Sequence, residues 1–320
     1  MQTDIYDAAI RLGFTDARPV TGHPFNVWRD RLASIPLGKY FSFEHDPAAA
    51  TGWLVGEITL WAAVAPTPPT AEWPEGCGEV GGFYMCSDML EKRRIAWEDA
   101  AAEMGYEVAR GVMLPERAAA IRAGLGVHGL NGLLISPDHG SFVNIALLLI
   151  REAPPPEARG PEHDLSPGCG NCGDCARACP TGAISDDGVD VLICLRNYMN
   201  RPERMTEEDY PRMGRMILGC DICQLACPKN ASIVREAPPE DMARRVRLED
   251  LLSGPDIGGM SKYIFHTYLN EKMIRRQAVL AAANTGRTDL LPSITELAET
   301  CGEDDTTKKI ALWAVKKLSE

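Results

Sequence analysis

Of the eleven cysteines in this chain of 320 residues, eight lie between positions 169 and 227, and they are where its chemistry is concentrated. Cys169, Cys172, Cys175 and Cys179, followed by Pro180, are spaced C-x2-C-x2-C-x3-C-P. Three thiolates this close in sequence can take three corners of one 4Fe-4S cubane, with the amides of Gly170, Asn171 and Gly173 free to turn toward the sulfurs, while the fourth thiolate points away to another cluster. A second run, Cys220, Cys223 and Cys227 with Pro228, spells C-x2-C-x3-C-P and is one thiolate short. Cys194, in Val191-Leu192-Ile193-Cys194-Leu195, lies between the runs and is the natural candidate for the missing ligand. In the crossed pattern, Cys169, Cys172, Cys175 and Cys227 hold one cluster and Cys179, Cys194, Cys220 and Cys223 the other. Zinc is the competing reading, since four thiolates also suit a tetrahedral site, although zinc motifs seldom use so tight a run. Cys77, Cys86 and Cys301 read as buried or idle thiols.

The first run is the one used by bacterial two-cluster ferredoxins. Two clusters sharing crossed ligands make a wire, and a wire needs a donor at one end and an acceptor at the other. The rest of the chain is then expected to bind that acceptor.

The elements around the block read as mixed α/β before it and helical after it. Ile5 to Leu12 has helical spacing, and Ile58 to Ala65 is an apolar strand closed by a turn over Pro66 to Pro69. Asp88 to Met104 is a long amphipathic helix stopped by Gly105. A short strand over Tyr106 to Ala109, a helix from Pro115 to Ala123 and a strand over Gly140 to Ile150 follow. Ala123 to Gly132 is glycine-rich and reads as a loop; backbone so free of Cβ atoms can approach a large flat ligand or adopt positive φ. It lacks the Gly-Lys-Ser/Thr of a phosphate loop. Pro154-Pro155-Pro156 and the charged stretch to His163 make a linker, and Ala237-Pro238-Pro239 a second break. Beyond them, helices over Met273 to Asn284, Leu291 to Cys301 and Thr307 to Leu318, with an acidic turn before the last, suggest a short HEAT-like tail capping the body. The expected division is 1–153, an α/β cofactor and substrate domain; 154–236, a ferredoxin-like two-cluster domain; and 237–320, the helical tail.

A formal net charge of -12 and a pI near 5.1 argue against non-specific binding to a phosphate backbone, which depends on Lys and Arg displacing counterions. Arg244, Arg245 and Arg247, and Arg201, Arg204, Arg212 and Arg215, form two basic stretches read as solvated faces answering nearby acids. No apolar run approaches the roughly 20 residues of a membrane span. The start, Met1-Gln2-Thr3-Asp4, is acidic and polar rather than signal-like, so the expected location is cytoplasmic, where disulfides are rare.

These segments line up with a known family. Pro115-Glu116-Arg117 with Ala123-Gly124-Leu125-Gly126, Ile135 to Phe142, and above all the cysteine block with Gly219-Cys220-Asp221-Ile222-Cys223-Gln224 resemble epoxyqueuosine reductase and, more distantly, the reductive dehalogenases. The resemblance is that of a divergent paralogue rather than of the tRNA enzyme itself. It implies a cobalamin-binding-type α/β domain, two 4Fe-4S clusters and a cobalamin held base-off, with Gly124, Gly126, His128, Gly129, Asn131 and Ser141 as cofactor-binding residues. It also implies an external ferredoxin or flavodoxin as donor and a small-molecule or corrinoid-protein acceptor. Where the family has an acidic proton donor ahead of its Glu-Arg pair, Ala109 to Pro115 contains no carboxylate, and the glycine loop has lost the family's lysine while keeping Asn131. Removing an epoxide oxygen needs a proton donor. His128 and Tyr84 are the candidate replacements, with Arg110, a permanent cation and poor donor, in the aligned segment. The expected function is a cobalamin-dependent iron-sulfur reductase whose substrate is not tRNA. The alternatives are an electron-transfer or corrinoid-handling protein without an organic substrate, and a wire whose corrinoid pocket is gone.

Overall fold

The structure, a computed structural model, describes residues 3–33, 44–67, 69, 72–160, 168–302 and 305–320. The His163 end of the proposed linker, part of the turn after Pro66 and the centre of the acidic turn before the last helix lie outside the described residues. The chain separates into two compact units: Met1–Thr67 with Met89–Cys172, and Pro68–Asp88 with Gly173–Glu320.

The first unit is built on a four-stranded antiparallel sheet in the order Asp16–Thr21, Ile58–Pro66, Val143–Arg151, Val108–Ala109. The two central strands pair along their whole length, Trp61 opposite Leu148 and Leu60 opposite Leu149. They read as continuous apolar runs because both faces of the sheet are covered. Leu60, Ala62, Val64, Leu147 and Leu149 share one core with Ala118, Ala119, Ala120 and Ala123, whose small side chains let the helix Glu116–Arg122 lie close. On alternate positions Trp61, Ala63, Leu148 and Ile150 are buried too. Trp97, from the helix Gly82–Glu103, is fully buried, sits 5.4 Å from Phe14 and donates its indole N–H to the Ile5 carbonyl at 3.1 Å.

The second unit has one core in which the cluster segment and the C-terminal helices are inseparable. Leu195, Tyr198, Met199, Met216, Ile217 and Leu218 belong to the same buried cluster as Ile274, Leu280, Ile294 and Ile310. The helix Glu271–Asn284, started by Asn270 accepting from the Met273 amide at 2.8 Å, runs through that core, and Gln277 on it is fully buried. Its Arg276 is buried as well, donates to the Met199 carbonyl at 2.6 Å, and is pushed down to about 10 by burial. The expected tail is therefore not a separate third domain or a cap: its first helix is the centre of the unit that carries most of the cysteine block.

Five of the seven arginines in the two basic stretches are paired with acids. Arg244 meets Glu240, Arg245 meets Asp256, Arg247 meets Glu249, Arg212 meets Asp209 and Arg215 meets Glu79.

Candidate iron-sulfur site

In the second unit, four cysteines from four different segments come within electrostatic reach of one another. Cys179 follows the helix Asp174–Ala178, Cys194 precedes Leu195–Asn200, Cys220 follows the strand Met216–Leu218, and Cys223 lies on Ile222–Leu225. Cys220 feels Cys194 and Cys179, Cys194 feels Cys179, and Cys223 feels Cys220, Cys194 and Cys175. Burial pushes the Cys220 thiol up to about 12, and burial followed by the neighbouring sulfurs raises Cys223 further. Burial also raises Cys194, against the amides of Arg196 and Asn197, which lie toward its sulfur. At Cys179 burial is outweighed by the Thr181 hydroxyl and the amides of Thr181, Ala183 and Gly182, and the thiol falls below its ordinary value. Thiolates crowded and desolvated in this way repel one another unless a cationic core neutralises them, and that is what a coordinated metal does to a thiol. The donor set therefore fits an iron-sulfur cluster. Among the described residues no three His, Cys, Asp or Glu side chains are placed to share a single metal ion. No disulfide joins any of the eleven cysteines, all of which are described, and Cys77 is a buried thiol donating to the Ala243 carbonyl at 3.3 Å.

The packing around this group is tight. Gly219 adopts φ +87, and a Cβ there would stand 2.7 Å from the Tyr84 ring. Tyr84 is wedged edge-on between Phe83 and Tyr268, its hydroxyl accepts from Arg196 Nε, and burial raises its pKa. Tyr84 is thus a packed residue beside Cys194 and Cys220 whose hydroxyl is already engaged. Asp221, between two of the cysteines, accepts from the Gly82 amide at 2.7 Å and from Gln224 Nε2 at 3.1 Å. That cap explains why the long helix begins at Gly82 and not at Asp88 as its amphipathicity suggested. Beside this group a cavity of about 330 Å³ is lined by Cys220, Asp221, Trp73, Leu225, Arg215 and Arg235 among others.

In the first unit the supposed glycine loop is a hairpin, Val127–His128 paired with Leu134–Ile135. Its glycines are accounted for by the protein itself. A Cβ on Gly126 would meet the Ile135 carbonyl oxygen at 2.4 Å, one on Gly129 the Asn131 Oδ1 at 2.5 Å, and one on Gly124 the Arg159 guanidinium at 2.4 Å. Along the Cβ direction Gly124, Gly126 and Gly129 therefore face the protein itself, and the missing side chains let the hairpin close on itself and on its neighbours. The hairpin also supports the first cysteine: the His128 carbonyl accepts from the Gly168 amide at 2.8 Å, and the Leu130 amide donates to Cys169 Sγ at 3.4 Å. His128, Asn131 and Ser141 are all buried. Arg110 is held by Asp99 at 2.7 Å and Glu98 at 3.4 Å, which ties it to the helix Gly82–Glu103 rather than leaving it for substrate.

One carboxylate escaped the search of Ala109 to Pro115. Glu116, the next residue, keeps a solvent-accessible surface, yet the mass of protein around it strips away enough water to push its carboxyl up to about 7, with Arg117 and Arg94 pulling the other way. The signal was present in the Pro115-Glu116-Arg117 triplet, but a helix-starting glutamate gives no hint from sequence that its acidity is weakened.

Residues 168–230 match the family described as 4Fe-4S double cluster binding domain. Over 212 residues the chain is 30% identical to the epoxyqueuosine reductase of Staphylococcus aureus, covering 64% of this chain and 54% of that one. With the enzyme of Aliivibrio fischeri the figures are 30% over 247 residues, 72% and 63%. The chain belongs to the epoxyqueuosine reductase-like family. It spans little more than half the length of the first curated epoxyqueuosine reductases it matches. Its fold is that of the epoxyqueuosine reductase from Bacillus subtilis solved with the catalytic loop swung out of the active site, at a TM-score of 0.79 and 22% identity over 99% of this chain and 90% of that one. The epoxyqueuosine reductase of Streptococcus thermophilus aligns equally well, with a TM-score of 0.79 at 21% identity, again over 99% and 90%. Among the described residues, no helix is long and apolar enough to cross a membrane.

Proposed function

We propose that this chain is a cobalamin-dependent iron-sulfur reductase of the epoxyqueuosine reductase type. In this reading it takes electrons from an external ferredoxin or flavodoxin, passes them through two 4Fe-4S clusters, and delivers them to the cobalt of a bound corrinoid for reduction of a substrate other than tRNA. The observation that carries the proposal is the convergence of Cys179, Cys194, Cys220 and Cys223 inside a segment that matches a double-cluster family. Cys169, Cys172, Cys175 and Cys227 are then the ligands of the other cluster, by the crossed pattern.

A corrinoid as acceptor rests on kinship; when bound it would supply a low-potential metal for two-electron reduction. What the chain's own residues contribute is a proton source and an electrostatic filter. Glu116, accessible and half-protonated near neutrality, meets the requirement for an acid that Ala109 to Pro115 leaves open. His128, being buried, and Tyr84, engaged by Arg196, meet it less well. A related enzyme has been solved with an epoxyqueuosine-modified tRNA stem loop. Here the net charge of -12 and the pairing of Arg212, Arg215, Arg244, Arg245 and Arg247 with carboxylates weigh against such a partner.

The second reading is an electron-transfer or corrinoid-handling protein, favoured by the lack of a carboxylate in Ala109 to Pro115. Titration of the anaerobically reconstituted protein with cobalamin, followed by reduction, tests the proposal. Stoichiometric binding with a base-off spectrum and a cob(I)alamin band is expected. No binding at micromolar concentration would leave only the electron wire.

A further inference from the structure

The hairpin Val127–His128 and Leu134–Ile135 is built to lie against the segment that carries Cys169. A Cβ on Gly168 would stand 2.9 Å from Val127 Cβ, so the two segments touch because position 168 has no side chain. The His128 carbonyl fixes the Gly168 amide, and the tip is folded by Gly129 N–H to the Leu133 carbonyl and Gly132 N–H to the Gly129 carbonyl, both within 2.9 Å. One amide at that tip, Leu130 N–H, is spent on a sulfur, Cys169 Sγ. The next residue carries a donor with no outlet: Asn131 is 7% exposed, its Oδ1 accepts from the Leu133 amide at 3.3 Å, and its Nδ2 has no partner among the described residues. A buried amide nitrogen left unpaired keeps its full desolvation cost, so an acceptor outside the polypeptide is called for.

We propose that this hairpin tip is a hydrogen-bond clamp on the cluster that Cys169 ligates, with the Leu130 amide donating to the Cys169 sulfur and Asn131 Nδ2 to a second sulfur of the same cluster. Hydrogen bonds to cluster sulfurs stabilise the more negative, reduced state and raise the reduction potential. The clamp acts on one cluster only. Its effect is to set the potential of the Cys169 cluster above the value it would have without the hairpin, and so to bias the direction in which electrons move along the wire. The inference rests on the two-cluster reading.

Redox titration of the reconstituted full chain, followed by electron paramagnetic resonance, tests it in two variants. Asn131→Asp keeps the acceptor for the Leu133 amide and removes the donor, and Asn131→Leu removes the donor without adding charge. Both are expected to shift one cluster to lower potential, leave the other unmoved, and lose an exchangeable-proton coupling seen in deuterated buffer. Gly168→Ala, which pushes the cysteine segment off the hairpin, is expected to shift the same cluster in the same direction. A shift in Asn131→Asp alone would be an added charge, and would overturn the clamp, as would retention of the proton coupling in Asn131→Leu. A wild-type chain holding fewer than two clusters would overturn the underlying reading together with the clamp, whereas two clusters with potentials unmoved in both variants would overturn the clamp alone.

Discussion

Replacing Cys194 with alanine puts the ligand assignment at risk in one step. Cys194 is the only cysteine between the two runs, and its sulfur is within electrostatic reach of Cys179, Cys220 and Cys223. Without it, three thiolates remain for a cubane that needs four, while the four cysteines assigned to the other cluster are untouched. Two cubanes hold about eight irons per chain, so the variant is expected to retain about four. The fold should survive, because the neighbouring Leu195, Tyr198 and Met199 belong to a large buried core that extends into the C-terminal helices and does not depend on the sulfur. Colorimetric iron and sulfide on the anaerobically reconstituted variant, with integrated paramagnetic resonance of the reduced form, reads the result. Cys301→Ala serves as the control and should keep the full iron content. A Cys194→Ala protein that still holds about eight irons and two cluster signals would refute the crossed assignment.

Three further expectations follow from particular contacts. Gly219→Ala sets a side chain at positive φ and 2.7 Å from the Tyr84 ring, a combination expected to cost about 1–3 kcal/mol, seen as a lower denaturant midpoint with an unchanged slope. Gly126→Ala drives a Cβ into the Ile135 carbonyl oxygen at 2.4 Å, where neither partner can swing away; a loss of the same order is expected, along with weaker retention of the Cys169 cluster on dilution into chelator. Glu116 keeps its proton in the folded chain up to about pH 7, while its unfolded value is 4.5. Its linkage contribution is therefore fully present below the unfolded value and lost as pH rises through the folded one. In Glu116→Gln the melting temperature should fall less between about pH 5 and about pH 8 than in the parent; identical slopes in the two proteins would remove Glu116 from the list of groups with weakened acidity.

What could be read from the sequence was set by how local the cause is. The cysteine spacing carries its own chemistry, and the long strands were legible because Ile58–Pro66 and Val143–Arg151 are apolar at all but Thr59, Asn144 and Arg151. The helix Glu271–Asn284 was visible as a helix, but its role as the middle of a core was not, since that depends on partners such as Met199 far away in sequence. The start of Gly82–Glu103 was missed for the same reason: its cap is Asp221, on another segment. The hairpin at 127–135 was hidden because two-residue strands leave no periodicity, and its glycines suggested an open loop where close backbone packing is the reason for them. Glu116 shows the limit most clearly, because its weakened acidity depends on surroundings that no local pattern encodes.

The measurement that goes to the centre of the account is Mössbauer spectroscopy of iron-enriched protein, purified anaerobically as the full chain, together with its iron and sulfide content. About eight irons and eight sulfides per chain, with all iron in the valence-delocalised pairs of 4Fe-4S clusters, is the result expected from two cubanes. Iron limited to a single cluster, or thiolates filled by zinc with no bound sulfide, would contradict it.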